Sequence, residues 1–128
     1  MNLFRLCNNC LYVDQSKIMT SKQTLYTSHV GSCSVLLFSY NKLNFMAHID
    51  ALQNNSEEII KKIKKHYNLN ELKKESIYIF KGPWCYDKCA TTDIIINALN
   101  KLNLTYIVYE NKIKWNNEIH INNKINII

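Results

Sequence analysis

The sequence predicts an α+β fold, a mixed β-sheet sandwich with two helices packed on it. Nearly continuous apolar runs, such as residues 33–40, are typical of buried strands. Two other segments repeat their apolar residues every three or four positions, as amphipathic helices do. The elements follow the order strands, helix, strand, helix, strands, with no internal repeat and no linker.

Composition limits the chain to one ordinary globular domain. It has 128 residues, of which 47% are apolar and 20% are charged. That length supports one sizeable core, so we expect a single domain over residues 1–128. Two glycines and one proline are too few for a loop-rich or disordered protein.

The positive charge does not by itself indicate nucleic acid. A net charge of +6 would suit an acidic partner, but Lys, Asn and Ile are all over-used, as a very AT-rich genome alone would produce. The one dense basic run, residues 61–65, has no interleaved aromatic residues to stack on bases. We expect a solvated helix face there and no nucleic-acid partner.

Cysteine usage and the N-terminus point to the same compartment. The five cysteines form an odd set, and no signal-peptide pattern opens the chain. We therefore expect reduced thiols and a cytoplasmic location. No apolar run is long enough to span a bilayer, so no membrane partner is expected. The cysteines are Cys7, Cys10, Cys33, Cys85 and Cys89.

The first half of the chain is predicted to be mostly strand. Residues 11–22 mix β-branched, aromatic and polar side chains, which indicates one or two short strands. The apolar run 33–40 and the following segment 43–49 are predicted to pair as a hairpin across a tight turn at Asn41-Lys42.

Two amphipathic helices are predicted, with a strand between them. Asn55 supplies an N-cap for the first helix, whose apolar residues keep a helical period. Residues 76–81 alternate as a strand does and stop at Gly82-Pro83. The second helix begins at about Asp87, and its apolar residues are Ala90, Ile94, Ala98, Leu99 and Leu102.

The C-terminal part is predicted to be a β-meander. Four short β-rich runs are separated by Asn-containing pairs, and asparagine tolerates the positive φ of hairpin turns. The clearest of these pairs is Asn116-Asn117. The runs are residues 104–109, 113–115, 118–121 and 124–128.

A turn that carries a cysteine precedes the strand at 33–40. Gly31 and Ser32 come directly before Cys33, and Gly31 is one of only two glycines in the chain. A glycine there lets the backbone turn tightly and aim amide groups, such as that of Cys33, at one point. His48 stands at the far end of the next predicted strand.

This stretch can supply what an amide hydrolase needs, namely a nucleophile, a base, a group that orients the base and oxyanion donors. Cys33 is the candidate nucleophile and His48 the candidate base. The two are nearly equidistant from the turn at 41–42, so we expect them to lie side by side. Either Thr27 or Asp50 would orient the imidazole.

Each of these residues also has an ordinary structural interpretation. A cysteine at the head of a buried strand is usually a small apolar filler. A histidine beside it is often a satisfied core residue. Thr27 precedes a strand in an ordinary way, and Asp50 is followed by residues that suit a turn.

The pattern Thr27-x5-Cys33, with Gly31-Ser32 before the cysteine and His48 after an apolar strand, resembles the CheD-like glutamine deamidases. Their signature is a Thr, a Leu-Gly-Ser-Cys turn and a downstream His. The resemblance implies a CheD-like fold and a hydrolase that deamidates protein side chains. It implies Cys33 as nucleophile, His48 as general base and then acid, and Thr27 as hydrogen-bonding support. We expect Gly31, Ser32 and Asp50 at the oxyanion and substrate side of the site.

The pair His48-x-Asp50 is also similar to the protein N-terminal asparagine amidohydrolases, and Asp50 is carried over from that family alone. The two resemblances together cover roughly residues 27–109. Both families tend to have a Gly-Gly pair where this chain has Gly82-Pro83, so we expect the substrate-facing loop to differ. The implied substrate is a protein or peptide bearing Gln or Asn, internal or N-terminal, and the implied chemistry needs no metal and no cofactor.

Two other functions stay open. In a binding module of the same fold, Cys33 is inert and a groove around Trp84 and Tyr86 docks a peptide. In a zinc-stabilised domain, two cysteine pairs at ligand spacing supply four thiolates. Those four residues are Cys7, Cys10, Cys85 and Cys89. The oligomeric state has no signature in the sequence.

Overall fold

The computed structural model of this chain describes residues 9–86 and 88–128, and within them it contains nine strands and three helices. The strands are β1 (Leu11–Tyr12), β2 (Ile18–Ser21), β3 (Leu25–Ser28), β4 (Ser34–Tyr40), β5 (Leu43–Ile49), β6 (Tyr78–Lys81), β7 (Ile107–Tyr109), β8 (Glu118–Asn122) and β9 (Lys124–Ile127). The helices are α1 (Ser56–His66), α2 (Leu69–Leu72) and α3 (Ala90–Lys101).

The strands form two sheets. One has the order β1-β3-β8-β9 and the other the order β2-β5-β4-β6-β7. Each sheet is mixed, because β1 pairs parallel with β3 and β6 pairs parallel with β7, whereas the other neighbours are antiparallel. The predicted α+β class with mixed sheets is confirmed.

The two sheets and the helices stack as three layers with two apolar cores. The five-stranded sheet is in the middle, with α1 and α3 on one face and the four-stranded sheet on the other. The helix-side core contains Phe38, Phe45, Ala47, Ile49, Ile59, Ile63, Ile95 and Leu99. The inter-sheet core contains Val13, Leu25, Cys33, Val35, Leu37, Met46, Phe80 and Ile119.

The hairpin of β4 and β5 is the centre of the middle sheet, and it forms as predicted. Asn41 and Lys42 both have positive φ, 52° and 65°, which is the backbone that a two-residue type I′ turn requires. This turn fixes the register, so that Tyr40 faces Leu43 and Ser34 faces Ile49. Each face of the hairpin thereby packs into one of the two cores.

The two predicted helices are also confirmed, and each begins at a recognisable residue. Asn55 caps α1 and exchanges hydrogen bonds with Glu58 in a capping box, while the apolar side of the helix turns inward. Cys89 is the N-cap of α3, and Asp87, where this helix was predicted to begin, lies outside the described residues. The predicted apolar face is partly wrong, because Ala90 is exposed whereas Thr91, Thr92 and Ile95 are buried. The short helix α2, capped by Asn68, was not predicted because a single turn leaves no periodic pattern to detect.

The predicted C-terminal meander is wrong. β7 returns from α3 to pair parallel with β6 in the middle sheet, whereas β8 and β9 belong to the other sheet. Residues 113–115 are not a strand, since they are the connection between the two sheets. Ile113 is buried in the inter-sheet core and Trp115 stacks on Trp84, so side-chain packing rather than strand pairing explains their apolar character.

Among the described residues, no helix has both the length and the apolar character needed to cross a membrane.

Candidate active site

The structure brings the candidate residues to one end of the interface between the two sheets. His48 is the penultimate residue of β5, and Thr27 lies in β3 of the facing sheet. Cys33 immediately precedes β4, and Asp50 immediately follows β5. The hairpin register therefore determines where three of these residues lie, and the packing of the second sheet supplies the fourth.

Thr27 fixes the tautomer of His48. The Oγ1 hydroxyl of Thr27 donates its single hydrogen to the carbonyl oxygen of Val13 at 2.7 Å. The same oxygen lies 2.7 Å from Nδ1 of His48, where it can only accept. The imidazole hydrogen is therefore on Nδ1, which leaves a lone pair on Nε2. This is the arrangement that a general base requires.

The Nε2 atom of His48 is buried and has no hydrogen-bond partner among the described residues. His48 is only 2% exposed, and burial lowers the pKa of its imidazole to about 4, although the carboxylates of Asp14 and Asp50 oppose the shift. The imidazole is consequently neutral at pH 7. Buried polar atoms without partners are rare in folded proteins and need an explanation.

Cys33 is a free thiol and is 7% exposed. Burial raises the pKa of this thiol to about 11, and the carboxylate of Asp50 raises it further. The thiol is therefore protonated at pH 7. Together with the neutral imidazole of His48, this opposes a resting thiolate–imidazolium pair and favours a thiol that is deprotonated only as it reacts.

The predicted side-by-side pairing of Cys33 and His48 is wrong by two residues. The two-residue turn places Val35, not Cys33, opposite His48. Cys33 and Val35 share the inter-sheet core because residues two apart lie on the same face of an extended chain, so the thiol and the imidazole are diagonal neighbours. They are not hydrogen-bonded to each other in this structure, since Nε2 has no partner.

The loop after β6 is tied to the turn before β4 through backbone hydrogen bonds. Gly82 N–H donates to the carbonyl of Cys33 at 2.9 Å, and Trp84 N–H donates to the carbonyl of Gly31 at 3.1 Å. Gly82 must be a glycine because a Cβ there would overlap the carbonyl oxygens of Gly31 and Cys33. The two loops are therefore held at backbone contact.

The backbone N–H of Cys33 donates to no other backbone group among the described residues. In a continuing ladder it would donate to the carbonyl of Gly82, but that carbonyl accepts the N–H of Cys85 instead, at 3.0 Å. No other described residue accepts a hydrogen bond from it. The ladder between β4 and β6 thus lacks its last hydrogen bond, the one that Cys33 N–H would donate to Gly82.

Gly31 acts through packing and not through a tight turn, which corrects the sequence interpretation. Neither glycine has positive φ, and the left-handed residue of this turn is His29, with φ of 55°. A Cβ on Gly31 would lie 2.6 Å from Cε3 of Trp84 and 3.1 Å from Cζ3 of Trp115. Glycine is needed because these two stacked indoles cover the backbone there.

Asp50 is a turn residue and does not orient the imidazole. Its Oδ1 accepts the backbone N–H of Leu52 at 2.9 Å, and its Oδ2 accepts a hydrogen from Nε2 of Gln15 at 2.6 Å. Gln15 lies in the loop between β1 and β2, and no local pattern marks it because its contact with Asp50 depends on tertiary packing. Of the two predicted orienting residues, the structure places Thr27 on the imidazole.

A cleft of about 440 Å³ opens beside Cys33. Ser32 and Cys33 line it on one side, and Trp84 and Tyr86, which are 55% and 72% exposed, line the other. The remaining lining residues include Gln15, Asp50, Leu52, Cys85, Lys88 and Thr91. A larger cavity of about 640 Å³ lies elsewhere between the sheets and is not lined by the candidate catalytic residues. The cleft can admit a side chain that projects from a peptide.

The cysteines contradict two expectations. Cys85 and Cys89 are joined in a disulfide, so the expectation of reduced thiols is wrong for this pair. Their sulfur atoms are then not thiolates, which opposes the four-thiolate zinc site. Cys7, which that site would also need, lies outside the described residues. Within residues 9–86 and 88–128, no group of three or more metal-ligating side chains is present.

No protein-family model matches this chain, and a search of curated proteins finds no match.

Proposed function

We propose that this chain is a cysteine-dependent amidohydrolase that converts the side-chain amide of Gln or Asn in a protein or peptide to an acid and releases ammonia. The observation that carries the proposal is the buried imidazole of His48. Thr27 holds it in the one tautomer with a free Nε2, and that atom lacks a partner among the described residues. A buried imidazole nitrogen without a protein partner is typical of functional positions more than of packing positions.

The position of Cys33 supports the same function. Its thiol is on the same face of the hairpin as His48 and borders an open cleft. Resting hydrogen bonds between a nucleophile and its base are often absent without substrate, because they tighten when the substrate binds. His48 does not line this cleft, so the mechanism requires that the thiol of Cys33 moves to Nε2 when a carboxamide enters.

The reaction divides into two steps. In the first, Nε2 of His48 takes the proton of Cys33 as the sulfur attacks the carboxamide carbon, and the backbone N–H of Cys33 stabilises the oxyanion. The imidazolium then returns that proton to the amide nitrogen, which leaves as ammonia. In the second, His48 deprotonates a water molecule that attacks the thioester, and the acid and the thiol are released.

Burial of the pair is compatible with this mechanism. A general base whose pKa is about 4 is unprotonated over the whole neutral range. It is a weak base for a thiol whose pKa is about 11, so the transfer must be coupled to carbon–sulfur bond formation. The proposal therefore keeps His48 as the general base that the resemblance implies, with the proton transferred during the attack rather than before it.

The rim of the cleft suits a protein substrate. Trp84 and Tyr86 offer aromatic surface to a peptide backbone, and Lys88 adds a positive charge beside them. The CheD-like variant of the fold and a cytoplasmic location belong to the same proposal. A peptide-binding module that uses this rim without chemistry is the second candidate, favoured by the exposure of the same two aromatic residues.

One panel of peptides tests the proposal. Peptides with an internal Gln, an N-terminal Gln and an N-terminal Asn are incubated with the purified chain and followed by mass spectrometry and ammonia release. We expect a one-dalton gain on at least one peptide, and no gain with Cys33→Ala. If no peptide gains mass but a peptide binds in a manner that depends on Trp84, the module is correct and the enzyme is not.

A further inference from the structure

The disulfide between Cys85 and Cys89 has two chemically different sulfur atoms. Cys89 is 3% exposed. Its Sγ lies 3.2 Å from Oγ1 of Thr92, which donates to it, 3.2 Å from Oγ1 of Thr91 and 3.6 Å from Oγ of Ser34. Three hydroxyl groups therefore surround one buried sulfur atom.

These three hydroxyl groups are themselves buried and bonded to one another. Oγ of Ser34 lies 2.8 Å from that of Thr91 and 2.9 Å from that of Thr92. The hydrogen of Thr91 is donated to the carbonyl oxygen of Ser32 at 3.2 Å, whereas that of Thr92 is donated to the sulfur of Cys89, which is a weak acceptor in a disulfide. A thiolate at Cys89 would be a far stronger acceptor, because hydrogen bonds to charged groups are the stronger class.

The backbone adds a second source of stabilisation for negative charge. Cys89 is the N-cap of α3, a helix of twelve residues, and its own side chain makes no capping hydrogen bond. The amide dipoles of such a helix favour an anion at its N-terminus. Cysteines at this position have stabilised thiolates in general.

Cys85 has the opposite environment. It is half-buried and lines the open cleft between the exposed residues Tyr86 and Trp84. Its Sγ has one hydroxyl neighbour, Oγ1 of Thr91 at 3.5 Å. An incoming thiol therefore has access to the sulfur of Cys85 and not to that of Cys89.

A purely structural role fits this bridge poorly. It joins residues only four apart in the sequence, and a crosslink that closes so short a loop removes the least entropy from the unfolded chain. The bridge is also placed where α3 begins, at the wall of the cleft, and not between distant elements.

We propose that Cys85–Cys89 is a redox-active disulfide, reduced by a dithiol reductant through attack at Cys85. The thiolate of the reductant forms a bond with Sγ of Cys85, and the Cys85–Cys89 bond breaks. Cys89 leaves as a thiolate that accepts a hydrogen bond from Thr92 and lies beside the hydroxyl of Ser34. The second thiol of the reductant then attacks the mixed disulfide, which frees Cys85 and leaves the reductant oxidised.

This activity is independent of the proposed amidohydrolase. It uses neither Cys33 nor His48, so the variant Cys33→Ser keeps it even though deamidation is lost. Failure of one proposal therefore leaves the other standing. The link between them is spatial, because Cys85 and Cys33 line the same cleft.

The test measures the reduction equilibrium of the full chain. Oxidised protein is equilibrated at pH 7 in buffers with set ratios of reduced to oxidised dithiothreitol, quenched with acid, alkylated and mapped by mass. The variant Ser34→Ala/Thr92→Val deletes two hydroxyls with little change in shape. We expect it to shift the equilibrium about tenfold toward the disulfide. The matched control Ser39→Ala/Thr20→Val, which deletes two hydroxyls far from Cys89, keeps the wild-type equilibrium.

A second measurement needs no variant. Brief exposure to glutathione, a monothiol, traps the mixed disulfide, and we expect glutathione on Cys85. Glutathione on Cys89, an unchanged equilibrium in Ser34→Ala/Thr92→Val, or a disulfide that resists dithiothreitol until the chain is unfolded would each overturn the proposal.

Discussion

The two faces of the β4–β5 hairpin have different physical characters. On the helix side, Phe38, Phe45 and Ile49 are fully buried among apolar neighbours. On the other side, Leu37 and Met46 are equally well packed, but the face ends in His48, a buried imidazole whose Nε2 has no partner among the described residues. The same two strands thus carry a core on one face and a candidate reaction centre at one end of the other.

The difference identifies a position, residue 48, where the side chain lowers the stability of the fold. An unsatisfied buried polar atom costs about 1–3 kcal/mol, and an apolar residue at position 48 would avoid that cost. Thr27 does not need His48, since its hydroxyl hydrogen is already donated to Val13. The imidazole is therefore a net cost to stability, which is typical of functional positions.

The largest expected effect is on the reactive face. His48→Met replaces the imidazole with an apolar side chain of similar size. We expect deamidation to fall about 10²–10⁴-fold, the usual contribution of a general base, with no loss of thermal or denaturant stability. Loss of stability comparable to that of a core truncation would instead show that His48 is an ordinary core residue.

The opposite face responds in the opposite way. Phe45 stacks on Phe38 with ring centroids 4.7 Å apart and contacts Tyr67. Phe45→Ala is expected to cost about 3–5 kcal/mol of unfolding free energy, measured by urea denaturation. The specific activity of the folded fraction should be unchanged, because this side chain points away from Cys33. A selective loss of activity would contradict the separation of the two faces.

Acid sensitivity distinguishes the faces further. His48 has a pKa of about 4 in the fold against 6.5 for an ordinary histidine, so between these values the unfolded chain binds more protons. Above pH 6.5 the imidazole is neutral in both states and adds no pH dependence, and the stability of the fold falls by about 3 kcal/mol as the pH is lowered from 6.5 to 4. We expect His48→Met to flatten this part of the stability–pH curve, and Phe45→Ala to lower the curve without flattening it.

The smallest expected effect concerns the wall of the cleft. A methyl group on Gly31 would meet the Trp84 ring at 2.6 Å, so Gly31→Ala must displace the indole. We expect a loss of about 1–3 kcal/mol in stability and a higher KM with a smaller change in kcat. Gly31→Ala/Trp84→Ala removes the clash and should recover part of the stability. If the double variant is no more stable, the close contact with Trp84 is not what requires glycine.

Local sequence patterns predicted the elements that local physics determines. The Asn41-Lys42 turn, the capping box at Asn55 and the existence of α3 depend on nearby residues, and all three are present. The failures depend on pairing at long range. Residues 113–115 have a strand-like composition but no partner strand, and nothing local in β7 indicates that it pairs with β6 rather than with β8.

The candidate site was also predicted only in part: its residues were identified, but their arrangement was not. Its residues were selected from the sequence, but their relationship depended on register, and the turn places His48 opposite Val35 rather than Cys33. The tautomer of His48 required the carbonyl of Val13, which comes from the facing sheet. The Cys85–Cys89 disulfide also follows from the three-dimensional placement of residues that the sequence assigned to other chemistry.

The most direct test of the central claim is to identify the atom that attacks the substrate. A peptide that carries a diazoketone in place of the reactive carboxamide loses nitrogen and alkylates a nucleophile that lies at the substrate carbon. After incubation at pH 7 and peptide mapping, we predict a single adduct on Cys33, formed more slowly in His48→Met and suppressed by excess substrate peptide. An adduct on any other residue, or none in a chain that still deamidates the substrate, would contradict the account.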